Sequence, residues 1–253
     1  MRIAVLADIH GNLPALRAVL AEIDAEPVDA LVIGGDVVGG PLVREVLELL
    51  RARPESLHWV SGNSEREAIA VYEGEPPSDD AAGQAAAWTA NALDDEWRDQ
   101  IASWPIALVL DGVLFCHGSP RRDDEMLTTA SPDEVFAEAL GSVAEPLVVG
   151  GHSHRQFIRT VREGLTYANA GSIGLPYEGR PGAFWMTVAY GEPEPRATSY
   201  DLDAAVEELR AAGYAEFDDQ LTPSLLEPVD ADWVATFFEH LAGRRPHPDE
   251  PPA

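Results

Sequence analysis

Near its beginning the chain twice repeats one unit: a short apolar run, a compact polar block, then apolar residues at helical spacing. Ile3-Ala4-Val5-Leu6 precedes Asp8-Ile9-His10, and Leu13, Leu16, Val19, Leu20 and Ile23 follow. Leu31-Val32-Ile33 precedes Gly35-Asp36, and Val43, Val46, Leu47 and Leu50 follow. Leu57-His58-Trp59-Val60 then leads into Gly62-Asn63. Short apolar runs bounded by turn residues read as buried strands, and a 3.6-residue period reads as an amphipathic helix. Strand and helix in alternation predict parallel strands with crossover helices, an α/β fold. Loops at the carboxyl ends of parallel strands project into one crevice, so the polar blocks are expected to meet there.

The later sequence is expected to turn more antiparallel. Residues 106–110 and 113–116 flank Asp111-Gly112, a pair suited to a two-residue hairpin. Leu147-Val148-Val149 leads into Gly151-His152-Ser153-His154, and residues 184–190 and 196–200 read as late strands. Residues 203–212 read as a helix capped by Asp203, and Trp233, Phe237, Phe238 and Leu241 predict one more. Residues 73–104 open with a turn-rich stretch and continue as an Ala-rich helix containing Trp88, and are expected to form an insertion or lid. One domain over residues 1–243 is expected. It would be followed by a tail, 244–253, whose four prolines predict disorder.

Net charge excludes some functions. With 44 acidic against 17 basic residues the formal charge is −27, a field that repels polyanions, and no basic stripe is evident. Stable nucleic-acid binding is therefore not expected, and small substrates are. No segment approaches the roughly 20 apolar residues that span a bilayer, and the N-terminus lacks a secretory apolar region, so no membrane association is expected. The lone cysteine, Cys116, cannot form an internal disulfide, which points to the cytoplasm and to an inert core thiol. Oligomeric state is left open.

The blocks Asp8-Ile9-His10, Gly35-Asp36, Gly62-Asn63, Cys116-His117-Gly118 and Gly151-His152-Ser153-His154 supply seven candidate metal ligands: Asp8, His10, Asp36, Asn63, His117, His152 and His154. Two carboxylates, one amide and four imidazoles can hold two divalent cations while leaving positions open for water and substrate. An all N/O donor set without thiolate suits Mn, Fe, Zn, Co or Ni over copper(I) or an iron–sulfur cluster.

In their order and spacing these blocks resemble the calcineurin-like metallophosphoesterase superfamily. The likeness is closest to its small single-domain bacterial phosphodiesterase branch, through Asp8 to Leu16, His117 to Arg121 and Asn169 to Gly174. The resemblance implies a four-layer αββα sandwich with two facing mixed β-sheets. It implies Asp8, His10 and His154 on one metal, Asn63, His117 and His152 on the other, and Asp36 bridging them. Asp36, Asn63 and His117 would then be the catalytic ligands, with Mn²⁺ the favoured ion. Two cations (+4) against Asp8 and Asp36 (−2) leave a +2 centre that attracts phosphate. Metals about 3.5–4 Å apart lower the pKa of a bridging water and clamp the attacking and leaving oxygens, so the nucleophile would be a bridging hydroxide.

The third block departs from the family. Many members carry His after Gly-Asn, whereas here Ser64 follows and Glu65 comes next. Serine cannot act as an acid near neutral pH, and general acid catalysis is typically worth about 10²- to 10⁴-fold. The missing imidazole shifts the expectation towards phosphodiesters with acidic leaving groups, with Glu65 supporting the loop by hydrogen bonding. The alternative is a phosphomonoesterase, including protein phosphatase or dinucleoside tetraphosphatase activity. A non-catalytic protein-interaction scaffold is a further reading, although scaffolds on this fold tend to lose ligands and all seven persist here.

Asn12, Arg121 and Arg155 are the candidate substrate contacts. Asn12 opens a helix, where it could instead be an ordinary cap, and the two arginines abut ligand blocks. Asn169, Gly171 and Ser172 either shape the metal pocket or make a tight turn. Trp88, Trp97 and Trp104 are read as core packing, and His58, His240 and His247 are assigned no chemistry.

Overall fold

The computed structural model describes residues 1–53, 55–215 and 221–249. In the first sheet β1 (Arg2–Leu6), β2 (Ala30–Gly34) and β3 (Ser56–Val60) run parallel. Beside β1 lies antiparallel β9 (Ala183–Ala189), followed by β10 (Glu192–Thr198), giving the order β10-β9-β1-β2-β3. The second sheet has the order β4-β5-β6-β8-β7, built from β4 (Ala107–Leu110), β5 (Val113–Cys116), β6 (Leu147–Gly150), β7 (Phe157–Arg162) and β8 (Leu165–Asn169). β5, β6 and β8 are parallel, and the outer strands β4 and β7 are antiparallel. Asp111 and Gly112, at φ 51° and 77°, make the expected tight turn between β4 and β5.

Side-chain alternation along the strands creates the four layers. Ile3 and Val5 of β1 pack with Val113 and Phe115 of β5 and with Leu147 and Val149 of β6 in a core between the sheets. Ala4 and Leu6 point the other way, into a core with Leu16, Val19 and Ile23 of α1 (Leu13–Ala25) and Val46, Leu47 and Leu50 of α2 (Val43–Arg51). On the far face Leu114, Cys116 and Val148 meet Phe136 and Leu140, which α6 (Asp133–Ala139) and its C-cap supply. A period of two divides each strand between two cores, and fully burying one large apolar side chain contributes roughly 1.5–3 kcal/mol. The architecture is the four-layer sandwich with two mixed sheets.

Several local expectations are corrected. The helix read as 203–212 is α7 (Leu202–Ala211), and its cap is Asp201, whose carboxylate accepts the Ala204 N–H at 3.0 Å. The last strand begins at Glu192 because Pro193 and Pro195, which cannot donate to a ladder, are tolerated at the edge of the sheet. β7 was missed because Arg159 and Arg162 interrupt its apolar pattern. Within residues 73–104, α4 (Ala81–Ala92) packs on α3 (Asn63–Tyr72), whereas α5 (Asp95–Ala102) sends Trp97 into the main core. Trp104 stacks on Trp59 at 4.5 Å, so these tryptophans do pack.

The first residues of the tail, Arg244 and Arg245, are hydrogen-bonded to the body of the protein. Glu239, on α9 (Ala231–Leu241), is fully buried and accepts hydrogen bonds from Arg244, Thr128 and Ser131. Arg245 donates to the Ala130 carbonyl at 3.0 Å. Residues 250–253 lie outside the described residues. Among the described residues no helix is long and apolar enough to cross a membrane.

Candidate metal centre

Each ligand block follows the carboxyl end of a parallel strand: Asp8 after β1, Asp36 after β2, Asn63 after β3, His117 after β5, and His152 and His154 after β6. The chain must turn sharply there to bring the side chains back over the strand ends. Asp8, His10, Asp36, His152 and His154 all have φ between 45° and 67°. Non-glycine residues pay of order 1–3 kcal/mol for such backbone, which persists where surrounding structure enforces it and is concentrated at functional sites. Close approach also requires glycine beside the ligands. A Cβ on Gly62 would lie 2.2 Å from Asp36 Oδ1, and one on Gly35 would lie 2.7 Å from His117 Nδ1.

The side chains converge as two groups that share one carboxylate. Asp8, His10, Asp36 and His154 form the first and Asp36, His117 and His152 the second, with the ligand atoms of each group within 4.8 Å of one another. His154 Nε2 is 3.0 Å from Asp8 Oδ1, His10 Nε2 is 3.8 Å from Asp36 Oδ2, and His117 Nε2 is 3.3 Å from Asp36 Oδ1. Asn63 lines the same cleft as Asp36 and His152.

Two imidazoles are oriented from behind. His117 Nδ1 lies 2.9 Å from the Gly34 carbonyl and His154 Nδ1 lies 2.6 Å from the Leu175 carbonyl. A ring nitrogen facing a carbonyl is the donor, so each Nε2 faces the centre, the second contact typical of metal-binding histidine. His117 Nε2 and Asn63 Oδ1 are buried without a hydrogen-bond partner. Buried polar atoms are rarely left unpaired, and these two donors fit bound cations. The residues present therefore suit two divalent ions held by oxygen and imidazole.

Electrostatics shows how tightly the bare groups are coupled. Burial works against charge on His117, but Asp36 and Asp8 outweigh it and raise its pKa to about 10. Burial and neighbouring imidazoles push His10 and His152 down to about 4. Asp8 and Asp36 resist burial and stay below the usual carboxylate range because the histidines surround them. A cation bound here displaces protons from imidazole.

A second layer fixes the loops. The Glu65 carboxylate accepts the backbone N–H groups of Asp36, Val37, Val38 and Gly62 at 2.7–3.2 Å, which ties the β2 loop to the β3 loop. Ser172 Oγ donates to the Asp8 carbonyl at 2.7 Å, and Asn169 Nδ2 donates to the Gly151 carbonyl at 2.5 Å. Gly171 N–H donates to Asn169 Oδ1, so the turn and the pocket are one structure. Cys116 is buried, and burial pushes its thiol far up.

The cleft lining does not include the expected substrate contacts Asn12, Arg121 and Arg155. Asn12 caps α1: its Oδ1 accepts the Ala15 N–H and its Nδ2 donates to the Gly174 carbonyl, both at 3.1 Å. Arg121 is paired with Glu125 and Glu138, and Arg155 with Asp232. Neither arginine lines the cleft, because in so acidic a chain carboxylates are available to capture them. The cleft, about 330 Å³, is instead lined beyond the ligands by Ser64, Glu67, alanines of α4, Tyr177, Tyr214 and Phe238, among others. Sequence reasoning missed these aromatics, which belong to no ligand block; Tyr177 alone had a signal, in its closeness to the Asn169–Gly174 block.

A sequence model of the calcineurin-like phosphoesterase superfamily domain matches residues 1–191. An uncharacterized protein of Methanocaldococcus jannaschii is 30% identical over 200 residues, covering 70% of this chain and 78% of the relative. The crystal structure of a metallophosphoesterase from Sphaerobacter thermophilus superposes with a TM-score of 0.70 at 26% identity, covering 88% of this chain and 99% of that one. A symmetrical bis(5'-nucleosyl)-tetraphosphatase of Yersinia enterocolitica is 38% identical over 72 residues only, 28% of this chain and 25% of the relative.

Proposed function

Because the chain belongs to the calcineurin-like phosphoesterase superfamily, whose members are metal-dependent phosphoester hydrolases, we propose that it is a binuclear-metal phosphodiesterase acting on small or nucleotide-like phosphodiesters. The donor set suits Mn, Fe, Zn, Co or Ni, and the family likeness favours Mn²⁺ among them. When bound, the two ions supply Lewis acidity and an activated water at neutral pH. Asp8, His10 and His154 would hold one, His117, His152 and Asn63 the other, and Asp36 would serve both.

The observation that carries the diester reading is the charge of the cleft. Among the described residues no arginine lines it, and Glu67 does, part-buried beside Asn63. Burial, then Asp36, raises the pKa of Glu67, so added negative charge is resisted there. Phosphate recognition falls to the metal centre alone, with no cationic side chain to add to its field. A diester with a single negative charge suits such a site better than a dianionic monoester or a tetraphosphate. Ser64 lines the cleft without an imidazole to protonate a leaving group, which supports the same reading. The acidic surface supports small substrates over nucleic acid, and the lone buried thiol supports a cytoplasmic setting.

The test matches leaving groups. Methyl p-nitrophenyl phosphate and p-nitrophenyl phosphate are compared with Mn²⁺ and after chelation. Faster metal-dependent hydrolysis of the diester is expected; faster monoester hydrolysis would overturn the proposal.

A further inference from the structure

The lining of the cleft comes from different parts of the chain, and two of its aromatics, Tyr214 and Phe238, lie beyond the matched family segment, which ends at residue 191. Ala81, Ala82 and Ala85 of α4 line the cleft with methyl groups only. Tyr177 and, from α9, Phe238 line it with rings that cross at 61° with centroids 5.7 Å apart. Tyr177 also stacks on His154 at 5.2 Å and 12°, so the aromatic wall is in register with a metal ligand. The walls join at Trp88 of α4 and Tyr214 after α7, which meet edge-on at 5.4 Å. The Glu239 clasp holds α9, and with it Phe238, over the cleft.

We infer that this C-terminal wall determines specificity by receiving a planar aromatic group carried on the ester oxygen that is not displaced. The inference rests on the phosphodiesterase reading for its chemistry. Its geometry is independent: the methyl groups of α4 and the rings of Tyr177 and Phe238 line one cleft together with the metal ligands His10, His152 and His154, and Tyr177 is in ring contact with His154. A ring enclosed there loses water on both faces and gains edge or stacking contacts that a methyl ester cannot make. An aryl ester and a nucleobase share this chemistry.

The experiment reads binding, apart from turnover. Mn²⁺-loaded protein is titrated calorimetrically with diphenyl phosphate, dimethyl phosphate and adenosine 5'-(methyl phosphate). Diphenyl phosphate is expected to bind about tenfold tighter than dimethyl phosphate. Tight binding of the adenosine diester as well would point to a nucleobase as the natural occupant, and its absence to an aryl group. Phe238→Ala should reduce the phenyl preference to threefold or less and leave dimethyl phosphate unaffected. Ala85→Leu, which adds bulk to the cleft from α4 and leaves α9 unchanged, should do the same. Equal affinities in the wild type, or an unchanged preference in both variants at unchanged thermal stability, would overturn the inference. Should diphenyl phosphate bind preferentially while methyl p-nitrophenyl phosphate is not hydrolysed, the phosphodiesterase reading fails and the wall stands.

Discussion

Glu65 holds Asp36 from behind: its carboxylate accepts the Asp36 backbone N–H at 2.8 Å, while Asp36 Oδ1 accepts the N–H of Ser64, the residue before Glu65, at 2.9 Å. The carboxylate shared by both ligand groups is thus fixed by the loop that carries Asn63. Removing either partner should loosen both halves of the centre together.

Glu65→Gln keeps the size of the side chain but turns an amide NH₂ towards one pair of backbone donors. A loss of about 3 kcal/mol in unfolding free energy is expected, from buried N–H groups left unpaired. Urea denaturation checks this, and a loss below about 0.5 kcal/mol, within the ordinary range of surface substitutions, would count against the role assigned to Glu65.

Asp36→Asn removes the shared anion and leaves the loop hydrogen bonds to Glu65 in place. Metal content should fall from two ions per chain to one or fewer, and turnover should fall by about 10²-fold or more. Elemental analysis of folded protein, confirmed by circular dichroism, is the measurement. Full activity with two bound ions would show that the bridging assignment is mistaken.

Ser64→His restores an imidazole beside the cleft. Rates on esters with poor leaving groups should rise by about tenfold or more, with little change on p-nitrophenyl esters, which need no acid. If metals remain bound and the poor leaving groups gain nothing, the leaving-group argument fails.

The Glu239 clasp should be acid-labile. Burial alone would raise its pKa above the ordinary 4.5, but Arg244, Ser131 and Thr128 outweigh burial and lower it. A carboxylate depressed by folding stabilises fully above its unfolded value and loses that contribution as pH falls from about 4.5 through the lower folded value. Amide hydrogen exchange in α9 should therefore speed up below about pH 4.5 relative to the sandwich core, and Glu239→Gln should flatten that dependence.

Much of the centre was legible in the sequence because it is built from short blocks at strand ends. A strand that must bury both faces shows as an apolar run, and the residues after it have one direction to go, so the sequence alone places Asp8, Asp36 and His117 at strand ends. β7 and β10 were harder to read, since arginine and proline are tolerated at strand positions that face solvent or lie at an edge. Asn12, Arg121 and Arg155 show the limit for polar side chains. Their type fits phosphate, but their partners, Gly174, Glu138 and Asp232, are chosen by three-dimensional proximity.

By itself the sequence determined the family, the ligand set and the missing imidazole at Ser64, because each is a matter of residue identity at fixed spacing. Tertiary structure decided which groups the substrate meets. Phe238 is far along the chain from His154, and both line the cleft with Tyr177 between them, in ring contact with each. Packing across sequence distance follows from how whole layers and helices bury their faces, and no local pattern records it.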